Sequence, residues 1–247
     1  MKKLEDKVAL ITGGSRRIGA CTARYLHSRG MRIILHHHRS AMDAENLQAE
    51  LCDIRPDSVT LIQGDLKKIS EMKYRVRESA HKLGRLDALV HNASVFYPTP
   101  LATTTEDQWR AIMETNLMAP YFISQAAAPY LAKNNGVIVH MADIYADRPL
   151  PGHSIYAASK AGLVSLTKSL AQELGPHVRV NAVAPGAILW PEHATDEISQ
   201  QRMISRTPLK RAGEPEDIAE TIYFLIAGSQ YISGQVINID GGRTTVP

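Results

Sequence analysis

Lys7-Val8-Ala9-Leu10-Ile11-Thr12-Gly13-Gly14-Ser15-Arg16-Arg17-Ile18-Gly19 decides the fold. It begins with a short continuous apolar run that breaks at a glycine turn, the pattern of a buried strand. Helical patterning starts at Arg17. In this order, strand, turn and helix form a nucleotide-binding signature. The glycines let the backbone turn tightly and approach a pyrophosphate, and the helix N-terminus offers N–H donors and positive potential.

The same alternation continues to the other end of the chain. Residues 7–11, 32–35, 59–62, 86–90, 136–141, 178–182 and 235–239 read as strands. Their unbroken Val/Ile/Leu character fits a parallel sheet covered on both faces, because a half-exposed strand would alternate polar and apolar residues. Helix-like stretches lie between them at 17–29, 41–51, 70–83, 106–131, 154–174 and 215–224. The expectation is one doubly wound Rossmann-type α/β domain over 1–247, with a central parallel sheet of about seven strands. The segment at about 186–211 follows a strand and has no clean apolar period. In such sheets the loops after strand C-termini border the ligand crevice, so this segment is expected to be a substrate lid.

Composition narrows the class. The chain has 247 residues, 44% hydrophobic and 21% charged, with a net charge of +3, too small to argue for nucleic acid or a membrane surface. Cys21 and Cys52 are the only cysteines and show no metal-ligand spacing. A reducing compartment follows, and the cytoplasm is the expected location. The apolar stretch after the basic N-terminus is too short for a signal peptide, and no stretch reaches transmembrane length.

The end of the second strand bears on the cofactor. An acid there holds a ribose 2′-hydroxyl, whereas a base accommodates a 2′-phosphate. Here the chain reads His36-His37-His38-Arg39-Ser40, with no carboxylate before Asp43. Arg39 can clamp a phosphate with two parallel hydrogen bonds, and Ser40 can donate at the start of its helix. NADPH is therefore expected. Three histidines in a row suggest a metal, but adjacent strand side chains alternate faces and do not converge on one ion, so no metal is expected. Asp65, ending the third strand, suits the adenine amino group or a helix cap.

Tyr156 and Lys160 stand one helical turn apart, with Asp143 upstream. A cation in the next turn favours the phenolate and makes the tyrosine a better proton donor near neutrality. The glycine turn, His91-Asn92-Ala93-Ser94, Asn116, Tyr156-Ala157-Ala158-Ser159-Lys160, Pro185-Gly186 and Asp240-Gly241-Gly242 occur in the order found in short-chain dehydrogenases/reductases. The chain resembles that family along essentially its whole length. The resemblance implies catalysis by Tyr156 and Lys160, with Asn116 orienting a water or a backbone group in the proton path. It implies cofactor contacts from Gly13, Arg17, Ile18 and Gly19, from His38, Arg39, Ser40, Asp65 and Leu66, from Asn92, Ala93 and Ser94, and from Lys160, Pro185, Gly186 and Ile188. It also implies a homotetramer.

Three departures point to one branch. Arg17 replaces a glycine, Ser94 replaces the glycine of the usual Asn-Asn-Ala-Gly, and Asp143 replaces the catalytic serine. With Phe96-Tyr97-Pro98-Thr99-Pro100 and the His-His-Arg-Ser tract, they resemble the pteridine reductases. A serine hydroxyl stabilises the oxyanion formed when hydride reaches a carbonyl, whereas a carboxylate repels it unless kept protonated. A charged Asp143 instead favours a ring rich in N–H groups. The expectation is NADPH-dependent reduction of a C=N bond in a (dihydro)pterin or dihydrofolate, with Tyr156 as proton donor assisted by Asp143. Arg17, Ser94, Phe96, Asp143, Tyr156 and Trp190 would line the substrate. Phe96 either stacks on the ring or is a core residue, and Trp190 either walls the substrate or packs the lid. The rival reading is a carbonyl or 3-oxoacyl reductase of the same family.

Overall fold

Val8-Ala9-Leu10-Ile11-Thr12 exposes almost nothing to water, so it must be covered on both faces. The computed structural model, which describes residues 4–188 and 197–246, places it at the centre of a seven-stranded sheet. The strands are β1 (Val8–Thr12), β2 (Arg32–His37), β3 (Val59–Gln63), β4 (Ala88–His91), β5 (Val137–Met141), β6 (Arg179–Pro185) and β7 (Val236–Ile239). Their order is β3-β2-β1-β4-β5-β6-β7, and every adjacent pair is parallel. The expected fold class is what the structure shows, with strand limits moved by only a residue or a few.

Strand alternation divides the core into two layers. Ala9, Ile11, Ile33, Leu35, Val90 and Val139 pack on one face with α1 (Arg17–Ser28), α2 (Ala41–Ile54) and α8 (Pro215–Tyr223). Val8, Leu10, Ile34, Leu89 and Ile138 pack on the other, against α3 (Ile69–Leu83) and α5 (Ala119–Lys133). The chain winds outward from β1 to β3, then returns to β4 on the other side of β1. A crevice opens where the winding reverses, at the carboxyl ends of β1 and β4.

The stretch at 106–131 is expected as one helix, but the structure interrupts it. α4 (Glu106–Met113) starts from a reciprocal cap: Thr105 Oγ1 accepts from Gln108 N–H, and Gln108 Oε1 accepts from Thr105 N–H. A widened turn follows at Glu114–Met118, in which Ala119 N–H donates to Glu114 O, five residues back. Pro120 explains it. Proline has no N–H, and its ring would strike the carbonyl four residues earlier, that of Asn116. The wide turn absorbs the conflict and carries Asn116 with it.

The remaining helices are α6 (Ser154–Glu173) and α7 (Glu197–Ser205), numbered in chain order with those above. Part of the expected lid, including Trp190, lies outside the described residues. Among the described residues, no helix is long and apolar enough to cross a membrane.

Candidate active site

The glycine turn is built from both sides. Gly13 has φ +59°, and a Cβ there would sit 3.0 Å from the backbone and side chain of Ala93. A Cβ on Gly19 would lie 2.4 Å from the Gly13 carbonyl oxygen, so the start of α1 can approach the turn only without one. Asn92 Nδ2 donates to Thr12 O and Gly13 O at 3.0 and 2.8 Å. Thr12 Oγ1 accepts from the N–H groups of Asn92 and Ala93. The turn after β1 is thereby fixed to the end of β4.

His36 completes the brace and was missed as a site residue in the sequence. Gly13 N–H donates to its Nδ1 at 3.1 Å, so the proton resides on Nε2, which donates to Gly64 O at 3.1 Å. Burial, the leading cause, pushes its pKa down to about 4 and keeps this ring neutral. Nothing in the pattern of three histidines distinguishes a ring that bridges the glycines after the two neighbouring strands. His37 is also buried, with Nδ1 lacking a hydrogen-bond partner, whereas His38 is exposed. Among the described residues no three His, Cys, Asp or Glu side chains are grouped to hold a metal.

Around this turn runs a cleft of about 580 Å³. It brings together the expected Gly13, Arg17, Ile18 and Gly19 with His38, Arg39 and Ser40 from the end of β2. Asp65 and Leu66 line it after β3, and Asn92, Ala93 and Ser94 after β4. Asp65 does not cap α3: its Oδ1 accepts from Lys67 N–H, and the residue preceding the helix is Lys68. Arg17 has φ +52°, so a side chain occupies a left-handed position that favours glycine. Four expected contacts, Lys160, Pro185, Gly186 and Ile188, are absent from the cleft lining. Gly186 N–H donates to Ile239 O at the end of β7, next to Pro185, and the Ile188 side chain is buried in the core. Pro185 ends β6 and Gly186 and Ile188 follow it, on the far side of β5 from the glycine turn.

The dinucleotide fits what this cleft offers. The first turn of α1 has no acidic residue and no side-chain cap, so no carboxylate of its own competes there with an anion. The two glycine positions have no room for a side chain, and Arg39 lies exposed at the cleft wall.

Beside the cleft, Tyr156 on α6 donates its hydroxyl to Asp143 Oδ2 at 2.7 Å. Asp143 Oδ1 accepts from Tyr145 N–H at 2.9 Å, which holds the carboxyl at the end of β5. Burial raises the Asp143 pKa above the ordinary carboxylate value, although Tyr145, Tyr156 and Lys160 act to lower it. Burial, followed by the Asp143 charge, raises the phenol of Tyr156 well above its usual value. Desolvation and the carboxyl in contact thus act on the phenol in the direction opposite to that expected of Lys160. Lys160 itself is buried, donates to Met141 O at 2.7 Å, and is pushed down to about 8 by burial.

Asn116 touches neither Tyr156 nor Lys160 in the hydrogen bonds the structure shows. Its Oδ1 accepts from Val95 N–H at 2.8 Å, while its Nδ2 donates to Val95 O at 3.0 Å and to Ser159 Oγ at 3.2 Å. It clasps a backbone segment of the site wall. Ser94 Oγ donates to Asn116 Oδ1 at 3.3 Å. Phe96 is not a core residue. It is 41% exposed, stacks on His153 at 4.7 Å, and meets Tyr156 edge-on at 4.7 Å. His153, which no motif marks in the sequence, is thus part of the site.

Residues 13–244 match the family described as enoyl-(acyl carrier protein) reductase. The chain is a short-chain dehydrogenase/reductase. Among similar relatives of this reductase is a 3-oxoacyl-[acyl-carrier-protein] reductase from Thermotoga maritima, 38% identical over 97% of this chain and 98% of the relative. A protein of the same description from Staphylococcus aureus is 35% identical, over 96% of this chain and 97% of that one. The crystal structure of a blue fluorescent protein from a metagenomic library, in complex with NADPH, superposes with a TM-score of 0.91 at 32% identity, covering 98% of this chain and 99% of that one.

These relatives overturn the pteridine reductase assignment, and with it the expected pterin or folate substrate. The physical reason lies in two assumptions. The assignment treats Asp143 as charged, whereas burial favours its neutral form relative to an ordinary carboxyl. It also gives Phe96 an open face for a flat heterocycle, whereas His153 stacks on that ring and Tyr156 meets it edge-on.

Proposed function

We propose that this chain is an NADPH-dependent carbonyl reductase of the 3-oxoacyl type, converting a β-keto thioester to the β-hydroxy thioester. One observation carries the reading. The Tyr156 hydroxyl lies 2.7 Å from a partly buried Asp143 carboxyl beside a dinucleotide cleft. Relatives 35–38% identical over nearly their full length bear that activity in their names.

NADPH, when held along this cleft, would supply the hydride for the carbonyl carbon. Tyr156 gives its proton to the carbonyl oxygen. Asp143, in its neutral form, donates across the same 2.7 Å contact to the phenolate left behind. A neutral Asp143 also removes the charge that would oppose an oxyanion, so it serves where a serine hydroxyl stands in most members of the family. Lys160 places positive charge near the ring of Tyr156, with Nζ 5.5 Å from its centroid. Asn116 keeps Val95 and the wall that follows it in place. Arg39 is assigned to the 2′-phosphate of the cofactor and Arg17 to its pyrophosphate.

One broader feature belongs to the same reading. Trp109 and Tyr121, 50% and 40% exposed, flank an apolar groove on α4, α5 and α6 that suits a second subunit, and the assembly proposed is a homotetramer. Light scattering on the purified chain tests it.

The deciding assay follows nicotinamide absorbance with an acetoacetyl thioester, dihydrobiopterin and dihydrofolate, each with NADPH and with NADH. Thioester turnover that prefers NADPH is expected. Turnover of the pterin or folate without the thioester would overturn the proposal.

A further inference from the structure

We infer that His153 is a positioning residue for Tyr156 and acts through the ring of Phe96. The inference rests on Tyr156 being the proton donor.

His153 immediately precedes α6, three residues before Tyr156. Its Nδ1 lies 3.1 Å from Pro151 O. A carbonyl only accepts, so Nδ1 carries the proton and the ring orientation is held from its own loop. That ring lies flat on Phe96, with centroids 4.7 Å apart and planes inclined by 12°. Phe96 in turn meets Tyr156 at 4.7 Å and 76°, the edge-to-face arrangement aromatic quadrupoles favour. The order His153–Phe96–Tyr156 is therefore a continuous aromatic column ending on the ring whose hydroxyl reaches Asp143.

Burial alone does not hold Phe96, because 41% of it remains exposed. Its backbone is tied on both sides instead. Asn116 takes both polar groups of Val95, and Thr99 N–H donates to Gly152 O at 2.6 Å, next to His153. Gly152 has φ +73°, the left-handed turn that brings this carbonyl to the loop after β4. The two loops framing the site are thus joined twice, once by that hydrogen bond and once by the stacked rings. Asp143 fixes the hydroxyl end of Tyr156, and Phe96 limits how its ring can tilt. Removing the imidazole takes away the backing of Phe96 and widens the positions open to the phenol. A proton donor displaced by a fraction of an ångström loses rate without losing cofactor.

The test uses the intact chain with NADPH and an acetoacetyl thioester, comparing His153→Ala, His153→Phe, Phe96→Ala, the double alanine variant and Tyr156→Phe. His153→Ala is expected to lower kcat by about three- to tenfold, the equivalent of one aromatic pair, with NADPH affinity by fluorescence titration unchanged. His153→Phe, which keeps a flat ring, is expected to recover most of the loss. The double variant is expected to be no slower than Phe96→Ala, because both changes break one column. Unchanged kcat in His153→Ala, no recovery in His153→Phe, or additive losses in the double variant would each overturn the inference. If Tyr156→Phe is inactive while His153→Ala is normal, only this inference fails. Full activity in Tyr156→Phe removes the proton-donor reading and this inference with it.

Discussion

Replacing Asp143 by serine separates the two protonation states on which the mechanism turns. An ionised Asp143 and a developing oxyanion about 4 Å apart repel by about 4 kcal/mol at an effective dielectric of about 20. At about 1.4 kcal/mol per tenfold, that is roughly a thousandfold in rate, so turnover belongs almost entirely to molecules with neutral Asp143. Its pKa is raised from 3.8 by burial, so the neutral form persists to higher pH than in an ordinary carboxyl. Above that raised value kcat should fall by about tenfold per pH unit. The assay is kcat for the thioester between about pH 5 and pH 9, for the wild type and for Asp143→Ser. Serine offers a neutral donor at all these values, so the variant should hold its rate where the wild type declines. Asp143→Ala is the control, since it leaves the Tyr156 hydroxyl and Tyr145 N–H without an acceptor and should be slow throughout. The same shift sets a stability sign: the contribution of this carboxyl is complete below 3.8 and is lost as pH rises through the folded value. Coincident wild-type and Asp143→Ser profiles would refute the assignment of a neutral acid.

Further outcomes follow from other parts of the site. Arg39→Asp should raise KM for NADPH by about 10- to 100-fold, the loss of charge-assisted hydrogen bonds, and leave NADH use intact; an unchanged NADPH/NADH ratio would end the 2′-phosphate assignment. Gly19→Ala places a methyl 2.4 Å from the Gly13 carbonyl and should cost about 1–3 kcal/mol of stability, visible as a lower Tm and weaker NADPH binding. His36, depressed from 6.5 to about 4, stabilises the fold fully above 6.5 and less as pH falls through its folded value, a loss on the order of 3 kcal/mol. His27, His91 and His140 are depressed in the same direction, mainly by burial, so calorimetry should show Tm dropping steeply below about pH 6.5. A flat acid limb would show that these rings accept protons without disturbing the fold.

The architecture was legible because it rests on local patterns. Continuous apolar runs such as Val8–Thr12 and Val137–Met141 can only be strands buried on both sides, and the glycine turn needs its residues in one order. The cleft residues after β1, β2, β3 and β4 were readable for the same reason: parallel strands bring their carboxyl ends to one edge wherever the chain enters and leaves. The wide turn at Glu114–Met118 left a signal in Pro120, although proline alone does not say whether a helix breaks, kinks or widens.

What stayed hidden concerns groups distant in sequence that share one environment. Residue types and spacing placed Asp143, Tyr156 and Lys160 together, but the charge each carries depends on desolvation, which only packing determines. Lys160 as a bare cation would acidify Tyr156, whereas burial and the adjacent Asp143 act on the phenol in the opposite direction. His36 and His153 became site residues through contacts to Gly13 and Phe96, set by the meeting of loops from separate strands. The sequence by itself determined the sheet and the nucleotide turn, because those follow from periodicity and local backbone chemistry. Only the tertiary structure decided protonation, ring stacking and the clasp of Asn116 on Val95, because these depend on which surfaces lose their water.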